Sequence, residues 1–399
     1  MEWIKTRIGD CIQCNPSIKL EKGKEYPIID IDKITIGRKF ATNAETLIYS
    51  NQSGCKFQKG DTLMARITPC LENGKMAQAR IADKGIGSTE LFVFRGMENV
   101  TDNDFVYYFI KQQYIRDLAA NSMSGASGRQ RADLKFVKKI QFALPPLPIQ
   151  QKIASILSTY DNLIENNTKR IKLLEQMAEN LYKEWFVRFR FPGHENVEME
   201  NGLPKGWKIL RLGDYGRIET GKTPSMEHSE YYGGDYLFIK TPDMHDSMFV
   251  YNTQETLSEE GNKCQKKKLL PLDSIMVSCI GSGGVVAINA KPGHTNQQIN
   301  SIILKNREQL EWLYFTCKAM KPTIEMFGAT GATMTNLSKG KFERLKVIEP
   351  HKEIISDFHS KVEPVFNQIK NLLQQNQYLT YQRDLLLPRL MSGKLEVKV

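Results

Sequence analysis

This sequence of 399 residues is written twice. Trp3-Ile4-Lys5-Thr6-Arg7-Ile8-Gly9-Asp10 returns as Trp207-Lys208-Ile209-Leu210-Arg211-Leu212-Gly213-Asp214, so W-x-x-x-R-[IL]-G-D recurs 204 positions apart. Asp61-Thr62-Leu63-Met64 is echoed by Asp273-Ser274-Ile275-Met276, Gly125-Ala126-Ser127-Gly128 by Gly328-Ala329-Thr330-Gly331, and Pro148 by Pro350. Matches kept in order at a nearly constant offset mean one structural plan used twice, which constrains the architecture more than composition does. The length also exceeds what a single hydrophobic core usually serves.

Each copy has the same internal order. About 140 residues of short β-branched and aromatic strands between turn residues, such as LFVFRG at 91–96 and SIILKN at 301–306, precede a long helical stretch. The first helix follows Leu144-Pro145-Pro146-Leu147-Pro148, a stop rich in residues that cannot donate backbone hydrogen bonds. Its apolar stripe runs Ile149, Ile153, Ile156, Tyr160 and Leu163, passes polar Asn167 and Arg170, and resumes at Leu174, Ala178, Leu181 and Trp185. The second stripe runs Ile355, Phe358, Val362, Val365, Ile369, Leu372, Asn376, Leu379, Arg383, Leu386 and Leu390, with Pro364 predicting a kink or a break. Steps of four and three describe a coiled-coil seam. Two amphipathic helices lying flat on their own domains are the other reading, but so narrow a stripe suits a helix partner better. The expected fold is α+β: two similar mixed α/β domains (1–143 and 196–348) joined by two long antiparallel coiled-coil helices (144–195 and 349–399) in a pseudo-twofold tandem repeat. Asn167 and Asn376 are candidates for buried polar residues that set register.

A formal net charge of +10 favours anionic partners such as nucleic acid. No run of 18 apolar residues could span a bilayer, the start MEWIKTRIGD does not read as a signal peptide, and seven scattered cysteines point to reduced thiols in a cytoplasm. Cys11 and Cys14 form a lone C-x-x-C without a second pair or a nearby histidine to complete a zinc set. Residues 216–223, GRIETGKT, fit the phosphate-loop pattern G-x-x-x-x-G-K-[ST]. A genuine phosphate loop follows a buried strand and opens a helix, whereas here LRLGDY precedes it and Pro224 would fall in the first helical turn. The sister copy runs from Gly9-Asp10 to Pro16-Ser17 four residues shorter and without the glycine-lysine pair, so Lys222 and Thr223 read as a variable loop. A self-contained methyltransferase would need an [DN]-P-P-[YFW] motif, which is absent, and the acids of a PD…ExK nuclease, Asp243 and Glu396, sit in different modules.

Four strings, LPPLPIQQKIASIL at 144–157, ENLYKEWFVRFRFPG at 179–193, LPKGWKILRLGD at 203–214 and RDLLLPRLMSGKLEV at 383–397, are similar to signatures of one family. With the domain–helix–domain–helix order, the chain resembles the specificity subunit of a type I restriction-modification system over essentially its whole length. The resemblance implies a DNA reader with no active site and no cofactor of its own. Each variable part would be a target recognition domain reading one half of an asymmetric, bipartite site on double-stranded DNA. The helices would act as ruler and as dock for two methyltransferase subunits, which bring S-adenosylmethionine and modify adenine. Two restriction subunits, the motor-nucleases, would supply the ATP- and Mg-dependent work. The same pseudo-symmetry would bring the chain ends near each other.

Base edges are read by Arg, Asn, Gln, Ser and Thr, and phosphates by cations and backbone amides. Glycine lets the Gly125–Gly128 and Gly328–Gly331 loops approach a phosphate closely. Candidate contacts in the first copy are Arg66, Thr68, Ser127, Arg129, Gln130 and Arg131. In the second they are Lys222, Thr223, Ser278, Ser282, Thr330 and Thr333. Lys266-Lys267-Lys268 reads as a solvated surface run. The alternative function is a two-domain sequence-specific DNA-binding regulator without restriction partners, which predicts a helix-turn-helix that the sequence does not display.

Overall fold

The computed structural model describes residues 3–41, 45–125, 129–245, 247–328 and 335–398. Both copies build a five-stranded sheet with the same strand order. In the first, β1 (Ile12–Cys14), β2 (Phe40–Ala41), β3 (Thr62–Ala65), β4 (Met76–Ala79) and β5 (Leu91–Gly96) lie in the order β1-β5-β3-β4-β2. In the second, β6 (Gly216–Thr220), β7 (Phe249–Val250), β8 (Ile275–Ser278), β9 (Val286–Asn289) and β10 (Ile299–Leu304) lie in the order β6-β10-β8-β9-β7. The two-residue edge strands β2 and β7 run parallel to their neighbours, while the other pairs are antiparallel. Both copies add a smaller sheet around Glu25–Ile29 or Tyr232–Ile239, each pairing antiparallel on one side and parallel on the other.

The W-x-x-x-R-[IL]-G-D motif does the same work in both copies, whereas the Asp61–Met64 and Asp273–Met276 strings sit one residue out of register on the shared frame, so Met64 faces the helix-side core and Met276 the opposite face. Strands β3 and β8 are buried at every position because both sheet faces are covered. Leu63 and Ala65 face one cluster and Met64 the other, and Ile275 and Val277 are likewise divided from Met276, as the twofold alternation of a strand requires. Asp61, wholly buried at the start of β3, accepts two 2.7 Å hydrogen bonds from Arg95. Asp273, its echo before β8, accepts from Arg307 at 3.1 Å and Lys370 at 2.7 Å. The W-x-x-x-R-[IL]-G-D segments end on equivalent backbone bonds, Ile8 N–H to Ile140 O at 3.0 Å and Leu212 N–H to Leu345 O at 2.9 Å. Gly9 there lies so close to the helix Leu134–Lys139 that a Cβ would stand 3.1 Å from Lys138 Cβ.

Two long helices complete the fold, α1 (Leu147–Tyr182) and α2 (Lys352–Met391). The chain forms two compact units, one comprising residues up to Asn167 together with those from Gln375 onward, the other Thr168–Gln374. Each unit therefore holds a stretch of α1 and a stretch of α2. In the first, Ile153 and Leu157 share a core with Leu387 and Leu390. Asp161 there pairs with Arg383, and Asn167 Nδ2 donates to Asn376 Oδ1 at 3.0 Å. Numbers rise along one helix as they fall along the other, so the pairing is antiparallel. In the second unit the end of α1 meets the start of α2, with the Tyr182 ring 6.4 Å from Phe358. A five-residue π turn, Lys183–Val187, closes the helix and lets consecutive Trp185 and Phe186 both turn inward, to 5.7 and 4.9 Å from Phe358. The chain ends do approach, since Trp3 carbons lie within 3.5 Å of a Cβ built on Gly393.

Two expectations are corrected. Helix α2 runs unbroken across Pro364, so the break into two helices does not occur; the lost N–H removes one backbone bond, while buried Val362 and Phe366 anchor the helix on both sides. The seam of α1 also lies one residue away from the apolar stripe over part of its length. Leu163 is 46% exposed, and Ile156, Tyr160, Leu174 and Leu181 are only half-buried, as are Leu379 and Leu386 on α2. The centre keeps Asn167 and Ala178 of the stripe and adds its neighbours Leu157, Asp161, Thr168, Ile171 and Tyr182. Ile153, Val362, Ile369 and Leu372 are buried. The reason for the shift is chemical: an apolar stripe ignores that Asp161 is neutralised by Arg383, whose Nε also donates to Asp384 at 2.9 Å, and accepts from the Tyr108 hydroxyl.

Removing one partner of a buried ion pair leaves the other charge unpaired, at a cost of about 3–5 kcal/mol, whereas an exposed seam-edge change stays within about 0.5 kcal/mol. Asp161→Ala should therefore shift a denaturant unfolding midpoint strongly and Leu163→Ser barely; equal shifts would show that the apolar stripe is the true seam.

Candidate nucleic-acid interface

Those of the residues chosen from the sequence that are described converge, in each copy, on one end of the five-stranded sheet. In the first unit the chain leaves β3 at Arg66 and is met by the segment returning from the Gly125 loop. Thr68 N–H donates to Gln130 O at 3.0 Å, Ile67 bridges to Arg131, and Ala132 N–H donates to Arg66 O at 2.8 Å. Ser127 lies outside the described residues, as do Thr330 and Thr333. Arg129 is exposed.

Side-chain partners then decide what each residue can offer. Arg131 is paired: its Nε and Nη2 donate to the Glu90 carboxylate at 2.9 and 2.7 Å, so that edge of its fork is taken and the Nη1 side faces outward. Those bonds, with the Arg66 charge nearby, hold the Glu90 carboxyl below its ordinary range. The Arg66 guanidinium lies over the Phe92 ring at 5.0 Å, with its Nε buried and unpartnered. Thr68 Oγ1 donates to Met123 Sδ at 3.2 Å. The site thus presents two paired or stacked cations around one carboxylate, with Arg129 beside them.

In the second unit the corresponding end is polar and nearly uncharged. Ser278 is wholly buried and serves the loop itself, its hydroxyl donating to Ser282 O at 2.5 Å and accepting from Val285 N–H at 2.9 Å. Ser282 is exposed at the tip, between Gly281 and Gly284, both at φ +79°. Opposite it runs the Gly-Lys-Thr segment. Lys222 N–H donates to Thr295 O at 2.9 Å, leaving its ammonium in solvent, and Thr223 Oγ1 donates to Gln297 Oε1 at 2.6 Å. No helix opens there: β6 ends at Thr220, a Cβ on Gly221 would collide with the carbonyls of Thr295 and Asn296 at 2.2 Å, and the next element is a short 3-10 turn, Ser229–Tyr231. The segment cannot cradle a nucleotide as a phosphate loop does. Lys268, from the lysine run, is also tied down, donating to Glu219 at 2.8 Å and to Thr220 O at 2.7 Å.

Sequence reasoning does not single out Glu90, Gln297 or Gln298. Their signal is a polar trio, Ser88-Thr89-Glu90 or Asn296-Gln297-Gln298, directly before β5 or β10 in both copies. The cysteine pair near the start holds no metal geometry. Cys11 is buried and its thiol pushed up to about 12 by burial, Cys14 to about 11 for the same cause, and all seven cysteines are free. Among the described residues no cluster of metal ligands occurs and no helix is long and apolar enough to cross a membrane.

Comparison with known proteins agrees with the repeat. The model of the type I restriction modification DNA specificity domain matches twice, over residues 2–176 and 204–380. The HindI type I restriction enzyme specificity subunit of Haemophilus influenzae is 31% identical, over 93% of this chain and 99% of that protein. The MjaIX specificity subunit of Methanocaldococcus jannaschii is 28% identical, over 81% and 77% respectively. The crystal structure of a type I restriction-modification S subunit from M. genitalium aligns over 99% of this chain and 97% of its own, with a TM-score of 0.53 at 16% identity.

The turn that carries Gln297 and Gln298 stands on the strand Gly293–Thr295, and His294 within it is wholly buried, its Nε2 3.0 Å from Asn262 Oδ1. Burial pushes its imidazole down to about 4. Unfolded histidine binds a proton below about pH 6.5 while the folded ring stays neutral, so stability present above that pH is lost as pH falls towards 4, by roughly 3 kcal/mol. Unfolding curves at pH 7 and pH 4.5 should show a smaller acid loss for His294→Gln than for wild type; equal losses would refute the assignment.

Proposed function

This chain belongs to the type I restriction-modification DNA specificity family, made of specificity subunits rather than enzymes, and on that basis we propose that it reads an asymmetric bipartite site on double-stranded DNA. Residues 1–143 and 196–348 act as its two target recognition domains, and 144–195 and 349–399 as spacer helices. The observation that carries the reading is the duplication of one sheet-end cluster with different side chains: a shared scaffold with two unlike displays suits two unlike half-sites. The helices set the gap and dock two methyltransferase and two restriction subunits. S-adenosylmethionine, ATP and Mg are bound by those partners in the cytoplasm.

Two measurements test this. Modified-base mapping of host DNA should find N6-methyladenine in a motif of two short halves with a fixed gap, and deletion of the gene should erase it. Gentle affinity purification of the full chain should retain a methyltransferase subunit. A motif that persists after deletion, or a chain that binds DNA tightly as a lone protein, would overturn the proposal in favour of a regulator.

A further inference from the structure

The two sheet ends match bond for bond where the sequences do not. Ahead of β5, Glu90 N–H donates to Ser88 Oγ at 3.1 Å; ahead of β10, Gln298 N–H donates to Asn296 Oδ1 at 3.1 Å. This is the same two-residue side-chain turn, made by two residue types that both favour it. The carbonyl of the same residue is fixed identically, by Arg66 N–H to Glu90 O at 2.9 Å and by Cys279 N–H to Gln298 O at 2.7 Å. The returning segment then closes each ladder, Ala132 N–H to Arg66 O at 2.8 Å and Leu337 N–H to Cys279 O at 2.9 Å. Glu90 and Gln298 are therefore structural equivalents on a backbone tied from three sides.

What they display is opposite in chemistry. The Glu90 carboxylate can only accept, and Arg131 holds it from one side while leaving its outer lone pairs. Gln298 has its oxygen engaged, accepting from Asn296 Nδ2 at 3.1 Å and from Thr241 Oγ1 at 3.4 Å, while its Nε2 has no partner among the described residues. In the major groove a base edge offers donors only through the exocyclic amines of cytosine and adenine, and acceptors through guanine O6 and N7, adenine N7 and thymine O4.

We propose that Glu90 and Gln298 occupy a base-reading position common to both repeats. Glu90 accepts from an exocyclic amine in one half-site, and Gln298 donates through Nε2 to a ring or carbonyl acceptor in the other. Arg131 and Asn296 are positioning residues that aim them. The inference rests on the bipartite reading above.

The test uses the full chain assembled with its partner subunits in the host, with modified-base mapping as the readout. Glu90→Gln keeps the shape but adds a donor. It should relax or change one position of one half-motif, lowering discrimination there roughly ten- to a hundred-fold, with the gap and the other half intact. Gln298→Glu should alter only the opposite half. If Glu90→Ala and Gln298→Ala both leave the motif unchanged, the inference is overturned although the bipartite reading stands; if wild type shows no bipartite motif, it is the reading that fails. Where a variant loses methylation altogether, binding of its purified complex to duplexes substituted at each position decides. Loss relieved at one position supports the assignment, and equal loss at all positions, or a lowered melting temperature that accounts for it, overturns it.

Discussion

Antiparallel packing between α1 and α2 is the interaction on which each compact unit depends. The first unit is assembled from residues far apart in sequence, because the last turns of α2 supply Leu387, Leu390 and Met391 to a core otherwise built from residues before 160. The second closes in the same way around Phe358, Phe366 and Ile369. The helices Asn103–Lys111 and Leu310–Ala319 lie against the two sheets, and the long-helix segments share a core with them. The aromatic cluster of Tyr182, Trp185, Phe186 and Trp207 shows how heavily the second unit relies on that core. Because a fully buried aromatic removes some 150–250 Å² from water, a few such rings dominate the stabilisation at each closure.

A rigid scaffold carrying an exchangeable display is what the paired sheet ends amount to. Backbone bonds fix the turn before the fifth strand, and the glycines around it allow close approach, so side chains at the tip change without disturbing the strands. The wholly buried Ser278, by contrast, belongs to the scaffold: its hydroxyl completes a loop whose backbone would otherwise lack partners. Residues that bond inward hold the shape, and residues with a free edge remain available for recognition.

Much of the architecture is legible in the sequence because repetition and hydrophobic period report burial directly. The paired W-x-x-x-R-[IL]-G-D segments and the two long helices fall in equivalent places, while Asp273 stands where the first copy has Gly60, each donating its N–H to the last carbonyl of the fourth strand, so the Asp61 echo is one residue out of register. Polar chemistry is what the pattern misreads. Leu163 has the spacing of a seam residue and Asp161 that of a surface one, since an apolar pattern cannot register that Arg383 lies opposite and neutralises the carboxylate. Arg131 has the chemistry of a guanine reader, and the sequence does not show that Glu90, 41 positions earlier, takes one edge of its fork. Both cases concern pairs distant in sequence, and side-chain type alone says nothing about who the partner is.

The polar residues of the helix pair also explain why it adopts one register. Leu, Ile and Val at alternating steps of three and four would tolerate sliding by a heptad, and two similar helices in a duplicated chain could pair in several ways. Asp161 opposite Arg383 and Asn167 opposite Asn376 are satisfied together only in the antiparallel α1–α2 arrangement. A slip would bury an unpaired carboxylate or a guanidinium, at a cost larger than the alternative apolar packing could offset. With Tyr108 bonded to the same carboxylate, and Lys39 bonded to both Asp104 and Ser158, that register is transmitted to the sheet domain of the first unit. The second unit achieves the same end with rings, packing Phe249, Phe315 and Phe366 at centroid distances of 5.6 and 5.9 Å, where shape rather than charge excludes the alternatives.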